Sequence, residues 1–223
     1  MVPPCSHLRR LQSGLCLALA LTGSLGAAEL VVADLRLGLD LRPTDFDYTI
    51  THPIFGETSG SDSFETGLGF SLRGLHAFDS PGSAGAFVVG GEGTFAYHEY
   101  GSESSVYMTY GLRAMGGYRY AFTERLAFDA LAFAGFGIAS YELSDPGVFD
   151  TIETDGYVTE LGALVGAHYN LSPNWILEAE AGWLTTEADL EGAGLDVLVE
   201  EAGFTFFLGV SYRFGGSRPP VLE

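Results

Sequence analysis

The positions of the arginines constrain the fold of this chain more than any other feature. The sequence has no lysine, and most of its arginines fall within segments where apolar and polar residues alternate, on the polar side. These arginines are Arg36, Arg42, Arg73, Arg113, Arg119 and Arg213. A period of two is typical of β-strands with one apolar and one polar face. Acids dominate the long intervening stretches, so the pattern predicts a β-barrel with an ion-paired interior, an apolar exterior and acidic loops.

Eight alternating segments follow one another along the chain. They are 35–42, 67–73, 87–98, 106–119, 126–138, 157–169, 175–183 and 201–214. With their flanks they reach about ten residues, the length a tilted strand needs to cross a bilayer. The connections are short around 79–85, 121–124 and 170–174, and mostly longer around 43–63, 99–105, 142–156 and 186–196. Short turns alternating with long loops are typical of outer-membrane barrels, and the even strand count predicts that both termini are periplasmic.

The aromatic residues distinguish a membrane barrel from a soluble one, in which the polar face points outward. Aromatics lie near both ends of the apolar face, as in interfacial girdles. They are Tyr97, Tyr107, Tyr157 and Trp183 towards the long loops, and Tyr118, Tyr120, Tyr169, Trp175 and Tyr212 towards the turns. Tyr107 is out of register with its segment, so an inward position is open to it. The polar face is also rich in glycine, as a small crowded interior requires.

The N-terminus has the pattern of an export signal. Arg9 and Arg10 precede an apolar stretch over 15–25, and small residues precede Glu29. The predicted domains are a cleaved signal peptide over 1–28, an outer-membrane barrel over 29–214 and a short periplasmic tail over 215–223.

Composition excludes several functions. Both cysteines, Cys5 and Cys16, precede the cleavage site, so the mature chain has neither disulfides nor thiolate metal sites, and no cofactor is expected. The formal net charge of -19 argues against binding to nucleic acid. No run of about 20 apolar residues follows the signal, so no transmembrane helix is expected.

The C-terminal segment carries a family resemblance. Residues 209–214, Gly-Val-Ser-Tyr-Arg-Phe, resemble the assembly signal of outer-membrane barrels, in which a glycine precedes two spaced hydrophobic residues. The mature chain resembles the eight-stranded barrels typified by outer membrane proteins A and X. It departs at Phe207, where a large polar residue is usual, and it continues past Phe214 to Glu223.

The resemblance implies an all-β, eight-stranded antiparallel transmembrane up-and-down β-barrel. It also implies a place in the outer membrane of a Gram-negative-type bacterium, as a monomer. The partners that follow are outer-membrane lipid, lipopolysaccharide and the barrel assembly machinery.

The polar face predicts a lumen ionic network. Eight strands enclose an interior just wide enough for side chains, so charges there must pair. The predicted members are Arg36, Arg42, Arg73, Arg113, Arg119, Arg213, Glu65, Glu92, Asp129, Glu160, Glu178, Glu180 and Glu201, with Asp34 and Asp40 on the same face. One reading is an ionic plug in a structural or surface-interaction protein. The alternative is a small pore that the excess of acids makes cation-preferring.

The sequence bears on two further functions. The fifth segment is apolar on both faces, which leaves open a side portal for small hydrophobic molecules. An enzyme is not expected, because no nucleophile lies at a sequence spacing typical of a catalytic site from any of the scattered histidines His52, His76, His98 and His168.

The long loops are acidic. They carry Asp45, Asp47, Glu57, Asp62, Glu99, Glu103, Glu142, Asp145, Asp150, Glu153, Asp155, Glu187, Asp189, Glu191 and Asp196. A solvated outer surface explains them, and a basic ligand is an alternative. Carboxylates also suit divalent cations, although no EF-hand spacing is present. The candidate metal ligands are Asp145, Asp150, Glu153 and Asp155.

Overall fold

The computed structural model describes residues 32–41, 45–63, 67–79, 85–100, 105–143, 152–192 and 194–214. These residues form ten antiparallel strands. The strands are β1 Val32–Leu41, β2 Asp45–His52, β3 Gly56–Ser63, β4 Gly67–Asp79, β5 Gly85–Tyr100, β6 Ser105–Ala121, β7 Leu126–Leu143, β8 Ile152–Asn170, β9 Trp175–Gly192 and β10 Leu195–Phe214. The predicted signal peptide over 1–28 and tail over 215–223 lie outside the described residues. No helix in the described ranges is long and apolar enough to cross a membrane.

Eight of the strands close into a ring. Their order is β1, then β4 to β10 in sequence, and β10 pairs back to β1 with Val210 opposite Leu37. Closure leaves no open edge in this part of the sheet, so backbone groups bond to neighbouring strands, as the hydrocarbon layer requires. The predicted eight-stranded antiparallel up-and-down barrel is therefore confirmed.

The outer wall of the ring is an apolar belt. Large apolar side chains point outward on every ring strand while charged ones point inward, so the soluble-barrel alternative is wrong. Outward members include Leu37, Leu39, Phe70, Leu72, Phe87, Val89, Leu112, Phe136, Leu161, Val165, Leu177, Phe206 and Leu208. Edge-to-face pairs flank this belt, Trp175 with Tyr212 near the short turns and Trp183 with Phe204 nearer the long loops.

The two tryptophans allow the position of the belt to be measured. Trp175 and Trp183 are the only tryptophans in the chain, and each is half exposed on the outer wall. For protein refolded in bilayers, we expect lipids brominated near the headgroup to quench both more strongly than lipids brominated at the chain end. The variants Trp175→Phe and Trp183→Phe let each be measured alone. No quenching of either by any brominated lipid would contradict an apolar wall embedded in lipid.

An additional hairpin lies within the predicted loop over 43–63, and the loop prediction is wrong there. Strand β2 pairs with the upper part of β10, with Phe46 opposite Glu201 and Thr51 opposite Asp196, and β3 pairs with β2. Only three apolar residues alternate in β2, too short a pattern to identify a strand without its partner. The pairing of β2 with β10 and β3 stabilises a strand that the local sequence pattern is too short to predict.

The strands next to the hairpin also continue through a predicted loop. The prediction of a loop over 186–196 is wrong, because β9 extends to Gly192 and β10 begins at Leu195. Along this extension the polarity of the two faces is reversed. Small or apolar residues point inward at Ala188, Leu190, Val197 and Val199, and the acids point outward. Those outward acids are Glu187, Asp189, Glu191 and Asp196. The alternation persists but changes sign where the wall leaves the lipid.

Candidate functional site

The centre of the barrel interior is Arg36, which contacts three carboxylates. It donates from Nε to Glu178 Oε2 at 2.6 Å and from Nη1 to Glu92 Oε1 at 2.7 Å. Its Nη2 lies 2.7 Å from Glu180 Oε2, an ion pair without hydrogen-bond alignment. The side chain is 4% exposed. Because β1 places Arg36 on the inward face, its planar fork reaches acids on β5 and β9 across the lumen.

Two further arginines surround the same acids. Arg73 donates to Glu180 Oε1 at 2.6 Å and to Glu92 Oε1 at 3.2 Å. Arg113 donates to Glu160 Oε2 at 2.6 Å and lies 3.6 Å from Glu92 Oε2. Glu92 is therefore shared by three guanidinium groups. Several cations around one buried carboxylate offset the cost of removing it from water. A single cation offsets that cost less well.

An aromatic ring stacks over the guanidinium group of Arg36. The guanidinium carbon lies 4.3 Å from the centroid of Phe207, and that of Arg113 lies 4.8 Å from Phe133. Such stacking stabilises a desolvated cation. Gly38 and Gly209 provide the room, because a Cβ on either would stand 2.8 Å from the Phe207 ring. The departure of Phe207 from the family pattern thus has a structural role in this barrel.

The network continues towards the short turns through His168. Its Nε2 lies 3.1 Å from Asp129 Oδ2 and its Nδ1 lies 3.2 Å from Glu178 Oε1. Arg119 donates to both oxygens of Asp129, at 2.7 and 2.6 Å. These contacts join Arg119 to Arg36 in one continuous chain of charged groups. The histidine was not predicted as a member, although its place on the inward face of the sixth segment was a usable signal.

Most predicted lumen residues come together, and a few do not. Arg213, near the end of β10, donates to Asp34, near the start of β1, at 3.1 Å. Glu201 lies further up, where Thr186 donates to it at 3.4 Å. Arg42 and Glu65 lie outside the described residues. Ser71, which donates to Glu92 at 2.8 Å, is a polar member that sequence reasoning missed.

Apolar side chains pack in the interior in two groups beside the ionic network. The inner apolar layer consists of Leu75, Val88, Met115, Leu131, Phe133, Leu164 and Leu184. The second group, here called the loop-end cluster, consists of Phe46, Tyr107, Ala139, Tyr141, Val158, Ala188, Leu190, Val197 and Val199. Tyr107 does point inward. The apolar inner face of the fifth segment packs within the first of these groups.

A small cavity borders the ionic network. Its volume is about 70 Å³, room for a few water molecules. Arg36, Arg73 and Arg113 line it together with Thr94, Thr109 and Thr205. A cavity of this size does not by itself form a path through the lumen.

Most acidic residues of the long-loop end that the structure describes lie on the outer faces of strands, whereas Asp62 is opposite Phe46 on the inward face of the hairpin. Glu153 and Asp155 are exposed on β8, whereas Asp145 and Asp150 lie outside the described residues. No group of three or more histidine, cysteine or acidic side chains within the described ranges has a metal-binding arrangement. Rows of acids do face each other, since Glu200 lies opposite both Glu187 and Asp47.

Comparisons with known proteins give matches to solved structures alone. No protein-family profile and no curated protein matches the chain. Ail, the attachment invasion locus protein of Yersinia pestis, is 15% identical, with a TM-score of 0.32 and coverage of 82% of this chain and 99% of that one. Neisserial surface protein A is 16% identical, with a TM-score of 0.41 and coverage of 81% and 97%. The outer membrane protease OmpT of Escherichia coli is 11% identical, with a TM-score of 0.42 and coverage of 84% and 98%.

Matches at these identities and TM-scores carry no function. On the strand topology described above, the predicted resemblance to eight-stranded outer-membrane barrels is confirmed at the level of the fold.

Proposed function

We propose that this protein is a plugged outer-membrane barrel that works through its long-loop end, in a structural or surface-interaction role. The observation that carries the proposal is the ion-paired lumen with its buried apolar clusters. Arg36 binds three carboxylates across the interior, and the loop-end cluster, with Phe46 at its centre, occupies the space above. What remains for contact with other molecules is the hairpin β2–β3 and the acidic outer faces beside it.

The proposed role is non-catalytic. Among the described residues, the nearest approach to a catalytic constellation is the buried group of Ser211, His168, Asp129 and Glu178. There the Ser211 hydroxyl donates to Glu178 at 2.9 Å, while both imidazole nitrogens face carboxylates. A general base must contact the nucleophile it activates, and this imidazole contacts two acids instead. The arrangement supports a structural role for the histidine.

The remaining parts of the proposal concern placement. The apolar belt and its flanking aromatics support insertion in the outer membrane, as a monomer in contact with lipid and lipopolysaccharide and delivered by the barrel assembly machinery. The long-loop end then faces the cell exterior. Binding of divalent cations by the loop acids stays a prediction.

Planar-bilayer recording of the refolded protein tests the proposal. We expect no reproducible conductance steps from protein whose gel mobility shifts on heating, the sign that the barrel is folded. The pore alternative requires a continuous aqueous path lined by acids. Cation-selective steps that decrease in Glu178→Gln and Glu180→Gln would establish that alternative and contradict the plug.

A further inference from the structure

The tip of the β2–β3 hairpin, residues 52–56, presents two large apolar side chains to solvent. Ile54 is 81% exposed and Phe55 is 85% exposed, more than any other large hydrophobic residue among those described. Neither lies at the level of the apolar belt. Exposed apolar side chains next to each other at the end of a projecting element are typical of a contact site.

The tip is held in one conformation by its own side chains. His52 Nδ1 accepts hydrogen bonds from the backbone N–H groups of Ile54 at 3.0 Å and Phe55 at 3.2 Å. The His52 and Phe55 rings lie 4.6 Å apart, and Gly56 has a φ of 85°, which suits the tight turn. A site ordered before binding loses little entropy when a partner docks.

The hairpin holds this tip at the end of the sheet furthest from the short turns. Thr51, the residue before the tip, lies opposite Asp196, and Leu195 is the first residue of β10. At the base of the hairpin Phe46 is fully buried in the loop-end cluster. The tip therefore stands on a strand pair that is anchored in the barrel interior.

The charges around the tip determine the kind of partner. The hairpin carries exposed carboxylates at Asp45, Asp47 and Glu57, and residues 45–63 contain no arginine or lysine. Asp47 lies directly opposite Glu200 on β10, a like-charge pair that a nearby cation would stabilise. A second copy of this chain would bring the same negative charges, and an anionic membrane surface would be repelled. A protein with a basic surface is favoured.

We propose that the tip docks into a partner protein through an apolar pocket rimmed by lysine or arginine, with Ile54 and Phe55 in the pocket. This inference rests on the proposed surface-interaction role and names its contact residues and the chemistry of its partner. An aromatic and an aliphatic side chain inserted together act as an interface hot spot, and acids at the rim steer the encounter.

A peptide library tests this without knowledge of the natural partner. Phage displaying random dodecapeptides are selected against the full chain in zwitterionic nanodiscs at low salt. We expect the enriched peptides to combine arginine or lysine with aromatic or aliphatic residues. They should bind Ile54→Ser/Phe55→Ser at least about ten-fold more weakly than the parent chain. The variant Asp47→Asn/Glu57→Gln should weaken binding as well, and so should added salt.

The matched control is Phe122→Ser, because Phe122 is also 64% exposed but lies in a short turn. Binding to this variant should equal binding to the parent. The inference is overturned if the peptides bind the Ile54→Ser/Phe55→Ser variant as tightly as the parent, or if they carry no basic residues. Binding of the peptides to empty nanodiscs, or self-association of the protein that the double substitution abolishes, would also overturn it.

Surface labelling separates this inference from the proposed function. With Ser59→Cys in β3, a membrane-impermeant maleimide should label the chain on intact cells. Lack of labelling would contradict the surface role itself. Labelling combined with binding that does not depend on Ile54 and Phe55 would overturn the docking inference alone.

Discussion

Replacing Arg36 by alanine should lower the free energy of unfolding of the refolded barrel by about 5 kcal/mol, the upper end of the range for breaking a buried ion pair. The guanidinium compensates Glu92, Glu178 and Glu180, none of which can reach bulk water. Without this guanidinium, the negative charges of the three buried acids are no longer fully compensated. The face of the Phe207 ring also loses its stacking partner. Urea unfolding in lipid vesicles, followed by tryptophan fluorescence, measures the change.

The control for this substitution is Arg125→Ala. Arg125 is exposed in the turn between β6 and β7, so its loss should change stability by no more than about 0.5 kcal/mol. Arg36→Lys should lie between the two, because an ammonium group cannot reproduce the bidentate fork. Equal unfolding midpoints for Arg36→Ala and Arg125→Ala would contradict a stabilising role for the network.

Replacing Phe46 by alanine should have the second largest effect, confined to the long-loop end. Phe46 is fully buried in the loop-end cluster, and truncation of a buried phenylalanine costs about 3–5 kcal/mol. The β2–β3 hairpin contacts only β10 among the barrel strands through its backbone, so it can open without unfolding the ring. Hydrogen exchange should therefore accelerate in residues 45–63 and remain slow in β6 to β9.

The same hairpin supplies the control, because Phe55 is the same residue type at an exposed position. Phe55→Ala should leave exchange in residues 45–51 and 57–63 unchanged within error, since an exposed ring at the tip contributes little to the pairing of the two strands. If hydrogen exchange in the Phe46→Ala variant accelerated equally in every strand, the hairpin and the ring would unfold as one unit. Unchanged exchange in 45–63 would mean that the loop-end cluster does not stabilise the hairpin.

The ring and its polarity were predictable from the sequence because they depend on local alternation. Leu37 and Arg36 are neighbours in sequence, yet one faces lipid and the other the lumen, and the period of two records that directly. Which arginine would pair with which acid was harder to predict from the sequence. That Arg36 would bind Glu178 on β9 depends on barrel shear and rotamers, which no local pattern contains.

The long-loop end shows where pattern reasoning failed. Strand β2 is stabilised by burial of Phe46 and by pairing with β10, both distant in sequence. Along β9 and β10 the acids that indicated loops, such as Glu187 and Glu191, occupy outward strand positions above the lipid. An acid at an outward position argues against a strand only where the outer wall is in contact with hydrocarbon.

The fork in β10 has a consequence for assembly. Its lower half pairs with β1 and its upper half with β2, so the final strand joins two early elements from which nearly the whole barrel separates it in the chain. Contacts of such sequence separation form late, because the intervening chain must first be ordered. The hairpin therefore has no docking edge until the last strand arrives. The tip is therefore displayed only on barrels that have closed, and truncated or half-closed chains do not display it.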